Sequence, residues 1–145
     1  MYIQWDTLAS VATAIGVGVG VYQLHLSKRL AQTEFEDSLT QQYRALVETI
    51  PVDYLIGKEV PTTEWPRIRE LAFNYLDLSN EQVALRANRR VSKDTWRAWC
   101  EGIQENLAKP AFARMWREIK EHAPETFSYL RKLEDSDYRG DPVWF

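Results

Sequence analysis

Apolar residues dominate the beginning of the chain and then recur at helical spacing along most of its length. Residues 7–26 carry no side chain with a full charge, and Trp5 and Tyr22 flank the most apolar part. At 1.5 Å per residue, such a segment spans about 30 Å, the thickness of a bilayer's hydrocarbon core. Aromatic residues at both ends are typical of membrane helices. The pattern predicts a transmembrane helix within residues 1–29; the alternative is a buried helix of a soluble domain.

The rest of the chain has the spacing of amphipathic helices. No glycine or proline separates the predicted span from the segment that follows, so one long helix should continue to about Ile50 and end at Pro51. Further helices are predicted over 63–88, over 93–108 with Ser92 as N-cap, from Pro110 and from Pro124. The predicted fold is therefore all-α, with a transmembrane helix (1–29), a small cytoplasmic helical bundle (30–135) and an extended tail (136–145).

Charge is distributed very unevenly along the sequence. All 18 Lys and Arg residues lie at or beyond Lys28, and Asp6 is the only formally charged side chain before it. A signal peptide would place its positive charges before the apolar run, and here the order is reversed. The positive-inside rule then predicts a single-pass protein of the bacterial inner membrane, with its N-terminus outside and its C-terminal part in the cytoplasm.

Small residues form two stripes along the predicted span. In lipid, helices associate where small side chains let their backbones approach closely. Ala12, Gly16 and Gly20 form one stripe, and a second stripe lies about 200° away around the helix: it consists of Ser10, Ala14 and Gly18. Two nearly opposite small faces suit a helix held between two identical neighbours, which predicts a homo-oligomeric ring. The simpler alternative is that glycine is common in membrane helices.

If such a ring encloses a pore, Asp6 would lie at its outer mouth. Rings of carboxylates favour the passage of cations. Asp6 is therefore the predicted pore-mouth residue.

Few residues suggest catalytic or metal chemistry. Cys100 is the only cysteine and has no histidine close in sequence, while His25 and His122 lie far apart. Glu118 and His122 share a helix face, but their spacing is wrong for a di-metal helix bundle, and they are interpreted as an ordinary solvated pair. The sequence predicts no catalytic residue, no metal site, no cofactor and no enzymatic activity.

One cluster of positive charge stands out at the turn between the second and third predicted helices. The stretch "LRANRRVSKDTWRAW" contains five cations and only Asp94 as an opposing charge. Cations with adjacent aromatic rings can bind phosphates and stack bases, so an anionic ligand is predicted there. The alternative is an exposed helical corner that pairs with acidic neighbours or lipid headgroups. The predicted ligand residues are Arg86, Arg89, Arg90, Lys93, Trp96 and Arg97.

The order of these parts resembles a known family. The single N-terminal span followed by "SKRL", and the segment "FNYLDLSNEQVALRANRRVSKDTWRAWCEGIQENLAKPAFARMW" with its W-x-x-W-x-x-G-I pattern, are similar to bacterial single-span proteins that include the membrane effector of the two-gene Hailong anti-phage system. The resemblance covers most of the chain, but it rests on helical core patterns and supplies no catalytic or ligand-binding residue.

That resemblance implies a tetrameric membrane effector in antiviral defence. Single-stranded DNA oligomers, made by a nucleotidyltransferase encoded nearby, would bind the effector and hold it inactive. Their loss would release it to disrupt the membrane as an ion channel or similar pore. The alternative function is a membrane-anchored scaffold that recruits a cytosolic protein partner.

Overall fold

The protein is built from helices, as the sequence predicts. The computed structural model describes the backbone of residues 5–145 and the side chains of residues 13–145. Within these residues there is no strand, and the elements in chain order are α1 (Trp5–Val47), α2 (Val52–Leu55), α3 (Trp65–Ala87), α4 (Lys93–Leu107), α5 (Pro110–His122), α6 (Ser128–Asp135) and a 3-10 helix (Pro142–Trp144).

The chain divides into two compact units within α1, between Phe35 and Glu36. The first unit is the earlier part of α1, and the second contains the end of α1 and all later helices. The sequence placed its domain boundary at residue 29, where the apolar run gives way to charge. The structural boundary lies six residues later, where α1 begins to pack against the bundle.

Helix α3 forms the centre of the second unit. One face of this helix carries apolar side chains spaced four, four and seven residues apart: Ile68, Ala72, Leu76 and Val83. All of them are almost completely buried. Helices α5, α6 and α4 and the 3-10 helix all pack on α3. Each fully buried aliphatic side chain of this kind contributes about 1.5–3 kcal/mol relative to an exposed one, so α3 organises the core.

The start of α4 is fixed by a hydrogen-bond network that reaches it from α1. Ser92 is the N-cap, as predicted, and its Oγ accepts from the Thr95 backbone N–H at 3.2 Å. The Glu36 carboxylate accepts from the Ser92 backbone N–H at 2.6 Å and from the Thr95 hydroxyl. In a capping box, a glutamate three residues into the same helix accepts the N-cap N–H. Here Glu36 supplies that carboxylate from a different helix.

The end of α3 is a Schellman motif without glycine. The Arg89 N–H donates to the Arg86 carbonyl and the Arg90 N–H donates to the Leu85 carbonyl, both at 2.9 Å. This closure requires a left-handed residue, and Arg89 adopts it with a φ of 58°. The backbone therefore turns away sharply after Ala87 and carries Arg89 and Arg90 to the surface.

Two predicted segments differ from the structure. The helix expected from Pro124 begins only at Ser128, because Phe127 takes a left-handed conformation with a φ of 57° and interrupts the helical path. The tail expected to be extended over 136–145 is folded instead. It turns after α6, forms the 3-10 helix and buries Pro142 against the bundle.

The folded tail leaves little room for a side chain at one glycine. A Cβ added at Gly140 would lie 2.9 Å from the Phe145 ring and 3.1 Å from Ser136. Any larger residue would displace one of these groups.

Among the helices of residues 5–145, none is both long enough and apolar enough to cross a membrane. The transmembrane assignment stays a prediction.

The Glu36 network predicts that this carboxylate stabilises the second unit. Glu36→Ala should lower the free energy of unfolding by about 1–3 kcal/mol, because it leaves the Ser92 and Thr95 donors without their acceptor. Urea unfolding followed by tryptophan fluorescence measures this. Glu34→Ala, an exposed carboxylate on the same helix, is the matched control and should change stability by no more than about 0.5 kcal/mol. Equal effects of the two variants would contradict the role assigned to Glu36.

Candidate functional site

The first unit exposes large apolar side chains on all sides of α1. Each of the following side chains is at least 51% exposed: Ile15, Val17, Val19, Val21, Leu24, Leu26 and Leu30. On a single helix in water, such a surface would be unfavourable. Exposed apolar surface of this kind is typical of segments that contact lipid or another protein.

The glycines of this helix are not required by contacts within the chain. A Cβ added at Gly16, Gly18 or Gly20 would meet no atom within 4 Å. Ala14 is also exposed on α1. The other predicted packing residues, Ser10 and Ala12, and the predicted pore-mouth residue Asp6 have side chains outside the described residues.

The predicted basic cluster is divided between the interior and the surface. Arg86 belongs to the interior, where its side chain is only 12% exposed and its guanidinium forms a bidentate pair with Asp141. Nε donates to Oδ1 at 2.9 Å and Nη2 to Oδ2 at 2.5 Å, while Nη1 donates to the Val91 carbonyl at 2.8 Å. Through these bonds Arg86 holds the tail against the end of α3.

Trp96 also belongs to the interior, because it is only 5% exposed in the core. It therefore packs in the core and does not expose an aromatic face on which a nucleic-acid base could stack. Trp99 on the same helix is half-buried and keeps part of its ring accessible.

The four remaining predicted residues are exposed together at the α3–α4 corner, and we call them the basic surface: Arg89, Arg90, Lys93 and Arg97. Arg97 lies 3.7 Å from Asp94, but both side chains are well exposed, so this pair is weak. Four of the six predicted ligand residues are thus exposed, and they lie close together in sequence between the end of α3 and the second turn of α4.

The folded tail adds a cation that sequence reasoning missed. Arg139 lines the same cavity as Lys93 and Arg97, and this cavity has a volume of about 240 Å³. Arg139 is separated from the basic surface by some 40 residues in sequence, so no local pattern could have assigned it.

Two groups beside this cavity stay uncharged at neutral pH. Burial raises the pKa of the Tyr138 phenol to about 12. Burial also raises the pKa of the Cys100 thiol, whose Sγ donates to the Tyr138 carbonyl at 3.4 Å. The thiolate is the nucleophilic form of cysteine, and this environment disfavours it.

Glu118 is more closely bound than the sequence indicates. Its carboxylate accepts from the Trp65 indole N–H at 3.1 Å and from Arg69 Nε at 2.7 Å, and it lies 3.7 Å from Arg114. It thus joins α3 to α5 rather than forming a solvated pair with His122. Beside it, a largely apolar cavity of about 490 Å³ lies between these helices.

No protein-family model, no curated protein and no solved structure matches the chain.

The pair between Arg86 and Asp141 predicts a stability effect at the tail. Asp141→Asn removes the negative charge beside a largely buried guanidinium, and it should lower the free energy of unfolding by about 1.5–3 kcal/mol at neutral pH. The exposed Asp135→Asn is the matched control and should change stability by no more than about 0.5 kcal/mol.

The same pair predicts how this difference depends on pH. The hydrogen bonds from Arg86 lower the pKa of Asp141 below its ordinary value of 3.8. The stabilisation is therefore complete above the pKa of the unfolded carboxyl and is lost as pH falls through the folded pKa. Urea titrations between about pH 7 and pH 3 measure the difference in free energy of unfolding between the parent and Asp141→Asn. This difference should stay constant from neutral pH down to about pH 4 and should shrink below it. A difference that grows on acidification would contradict this assignment.

Proposed function

We propose that the chain is an oligomeric membrane effector, channel-like in its action, that single-stranded DNA oligomers hold inactive in anti-phage defence. The observation that carries the proposal is the set of exposed apolar residues around α1, which would be unfavourable on an isolated helix in water. The resemblance to the Hailong effector family supplies the biological setting and the inhibitor. The proposed location is the bacterial inner membrane, with the N-terminus outside and the second unit in the cytoplasm.

Helix packing in the proposed oligomer follows from the open glycines. Nothing within 4 Å fills the space at Gly16, Gly18 or Gly20, so the backbone is accessible on more than one face. Neighbouring copies of α1 would fill that space in a ring, for which the resemblance implies four members. Oligomerisation is also one way in which a short apolar segment is accommodated in a bilayer.

The inhibitor is proposed to bind the basic surface. Four exposed cations at one corner attract a phosphate backbone, and the arginines can donate two hydrogen bonds to one phosphate. Several copies around a ring would each contribute a modest site, so one oligonucleotide would bind by avidity. Loss of the DNA would then release the effector.

The alternative is a membrane-anchored scaffold that recruits a cytosolic protein. The cavity between α3 and α5 favours it, because Phe73 lines that cavity and is 41% exposed. A scaffold needs neither an assembly of defined size nor DNA binding, so the following two experiments separate the functions.

The packing proposal predicts that bulk on the glycine face breaks the assembly. Gly16→Leu combined with Gly20→Leu should convert the detergent-solubilised oligomer to monomers and abolish toxicity in cells, because leucine prevents close backbone approach. Light scattering coupled to size-exclusion chromatography gives the mass. As the control, Val17→Leu with Val21→Leu adds bulk at neighbouring positions. It should preserve both the mass of the oligomer and its toxicity in cells. An unchanged mass for the glycine variant would rule out the packing proposal.

The inhibitor proposal predicts a change in the salt dependence of DNA binding. Arg89→Gly with Lys93→Gln should reduce the slope of log K against log salt by about 1.4, since each lost phosphate contact on a single strand accounts for about 0.7. Arg89 has a left-handed backbone conformation, which glycine adopts without strain, so Arg89→Gly should raise the free energy of unfolding by about 1 kcal/mol. Weaker DNA binding by this variant would therefore not result from unfolding. A labelled oligonucleotide titrated at two salt concentrations measures the slope.

The matched control removes two cations elsewhere. Arg67→Gln with Arg117→Gln changes exposed residues, and Arg67 lies near the start of α3, about 30 Å from the end of that helix at Ala87. This control should keep the parent slope. If DNA restrains the protein, the basic-surface variant should also be more toxic in cells than the parent. Equal slopes in both variants would refute the assignment.

A further inference from the structure

A cavity of about 240 Å³ lies between α4 and the folded tail, wholly within the second unit. Three cations line it: Lys93 and Arg97 from α4, and Arg139 from the tail. Lys93 and Arg97 also belong to the basic surface, whereas the other two members of that surface, Arg89 and Arg90, lie in the turn before α4 and outside the cavity lining. The cavity therefore adjoins the basic surface but has a cation of its own.

The conformation of the tail brings Arg139 to this cavity. Asp137 and Tyr138 are consecutive left-handed residues, with φ values of 54° and 57°, and they reverse the chain after α6. The Tyr138 N–H donates to the Leu133 carbonyl at 3.0 Å, and the Tyr138 carbonyl accepts from Cys100 Sγ at 3.4 Å. Left-handed conformations are unfavourable for most residues and are concentrated at functional sites. The turn therefore fixes the backbone of Arg139 beside α4.

The cations of the cavity are only weakly paired with acidic neighbours. Arg139 pairs with Asp137 at 3.0 Å, and both side chains are more than 70% exposed. The pair between Arg97 and Asp94 is also exposed. Exposed ion pairs of this kind contribute little stability, so both arginines can exchange these carboxylates for an anionic ligand at little cost.

Two carboxylates line the cavity, and one of them is already neutralised. Asp141 accepts two hydrogen bonds from the Arg86 guanidinium, while Glu101 is exposed on α4. The three cations therefore exceed the remaining carboxylate by two charges. The Tyr138 phenol also lines the cavity, and because burial raises its pKa to about 12, it keeps a proton that it can donate.

We propose that this cavity binds a terminal phosphate monoester of the DNA strand whose backbone lies on the basic surface. A phosphate monoester carries a charge of about −1.5 to −2 at pH 7 and presents three acceptor oxygens, which match the excess of two positive charges. A backbone phosphate carries a single charge. A terminal phosphate is also attached to the strand on one side only, so it can enter a cavity beside the path of the strand. The inference rests on the proposed function for the identity of that strand.

The test compares three forms of one single-stranded thymidine oligonucleotide: one with a 5′-phosphate, one with a 3′-phosphate and one with hydroxyl groups at both ends. Isothermal titration calorimetry on the full chain in detergent gives their affinities. At least one phosphate-bearing strand should bind about tenfold more tightly than the hydroxyl-ended strand, because hydrogen bonds to a charged group are strong. Whichever end gives this preference is the end that the cavity binds.

Variants of the cavity locate the site of the preference. Arg139→Gln should abolish the preference for a terminal phosphate and leave the affinity for the hydroxyl-ended strand unchanged. The Arg139 side chain is 83% exposed, so this variant should keep the parent's unfolding temperature. Arg117→Gln removes an exposed cation of α5, outside the cavity, and should keep the preference.

A second pair of variants tests the same site by removing negative charge. Glu101→Gln should increase the preference several-fold, because it removes the carboxylate that repels a phosphate in the cavity. Glu105→Gln removes an exposed carboxylate one turn further along α4 and should change the preference less. This comparison remains decisive even if Arg139→Gln does not fold.

The outcomes separate this inference from the proposed function. Equal affinities for all three strands would overturn the terminal-phosphate site alone and would leave DNA binding at the basic surface in place. Binding of none of the strands would overturn both. A preference that Arg139→Gln retains, or that Glu101→Gln leaves unchanged, would overturn the assignment to this cavity.

Discussion

The burial of α3 among its neighbours is the constraint on which the second unit depends. A 23-residue helix is about 35 Å long, and α3 is covered along most of that length by α4, α5, α6 and the 3-10 helix. Ile68 and Val83 are at most 1% exposed, so both halves of the helix lie in the core. The later helices of the unit are shorter than α3. Those that pack on α3 are positioned by covering its apolar surface.

This arrangement explains where the exposed charge lies. A central helix must end abruptly if the chain is to return along its side, and the Schellman motif after Ala87 provides that end. The residues that form the turn cannot be buried with α3, so Arg89 and Arg90 lie on the surface. The first unit differs, because the residues it exposes between Ile15 and Leu26 are mostly apolar. The proposed function assigns lipid and neighbouring copies to this apolar segment and DNA to the basic surface.

Local signals in the sequence predicted much of the fold, and non-local pairing accounts for what they missed. Pro51, Ser92 and Pro110 act on the backbone within a few residues, so helix boundaries near them were close to those observed. Pro124 was misleading because Phe127, which is buried in the bundle, takes a left-handed conformation that a linear pattern does not report. The basic cluster was identified from composition, but only the fold separates Arg86 and Trp96 from the exposed residues.

The pair between Arg86 and Asp141 makes the end of α3 depend on a residue that lies 55 positions later in the sequence. The loss of Asp141 would leave a positive charge beside the core at the end of α3, on a side chain that is only 12% exposed. The two segments therefore behave as one cooperative unit, because a local opening of either segment deprives the other of its partner group.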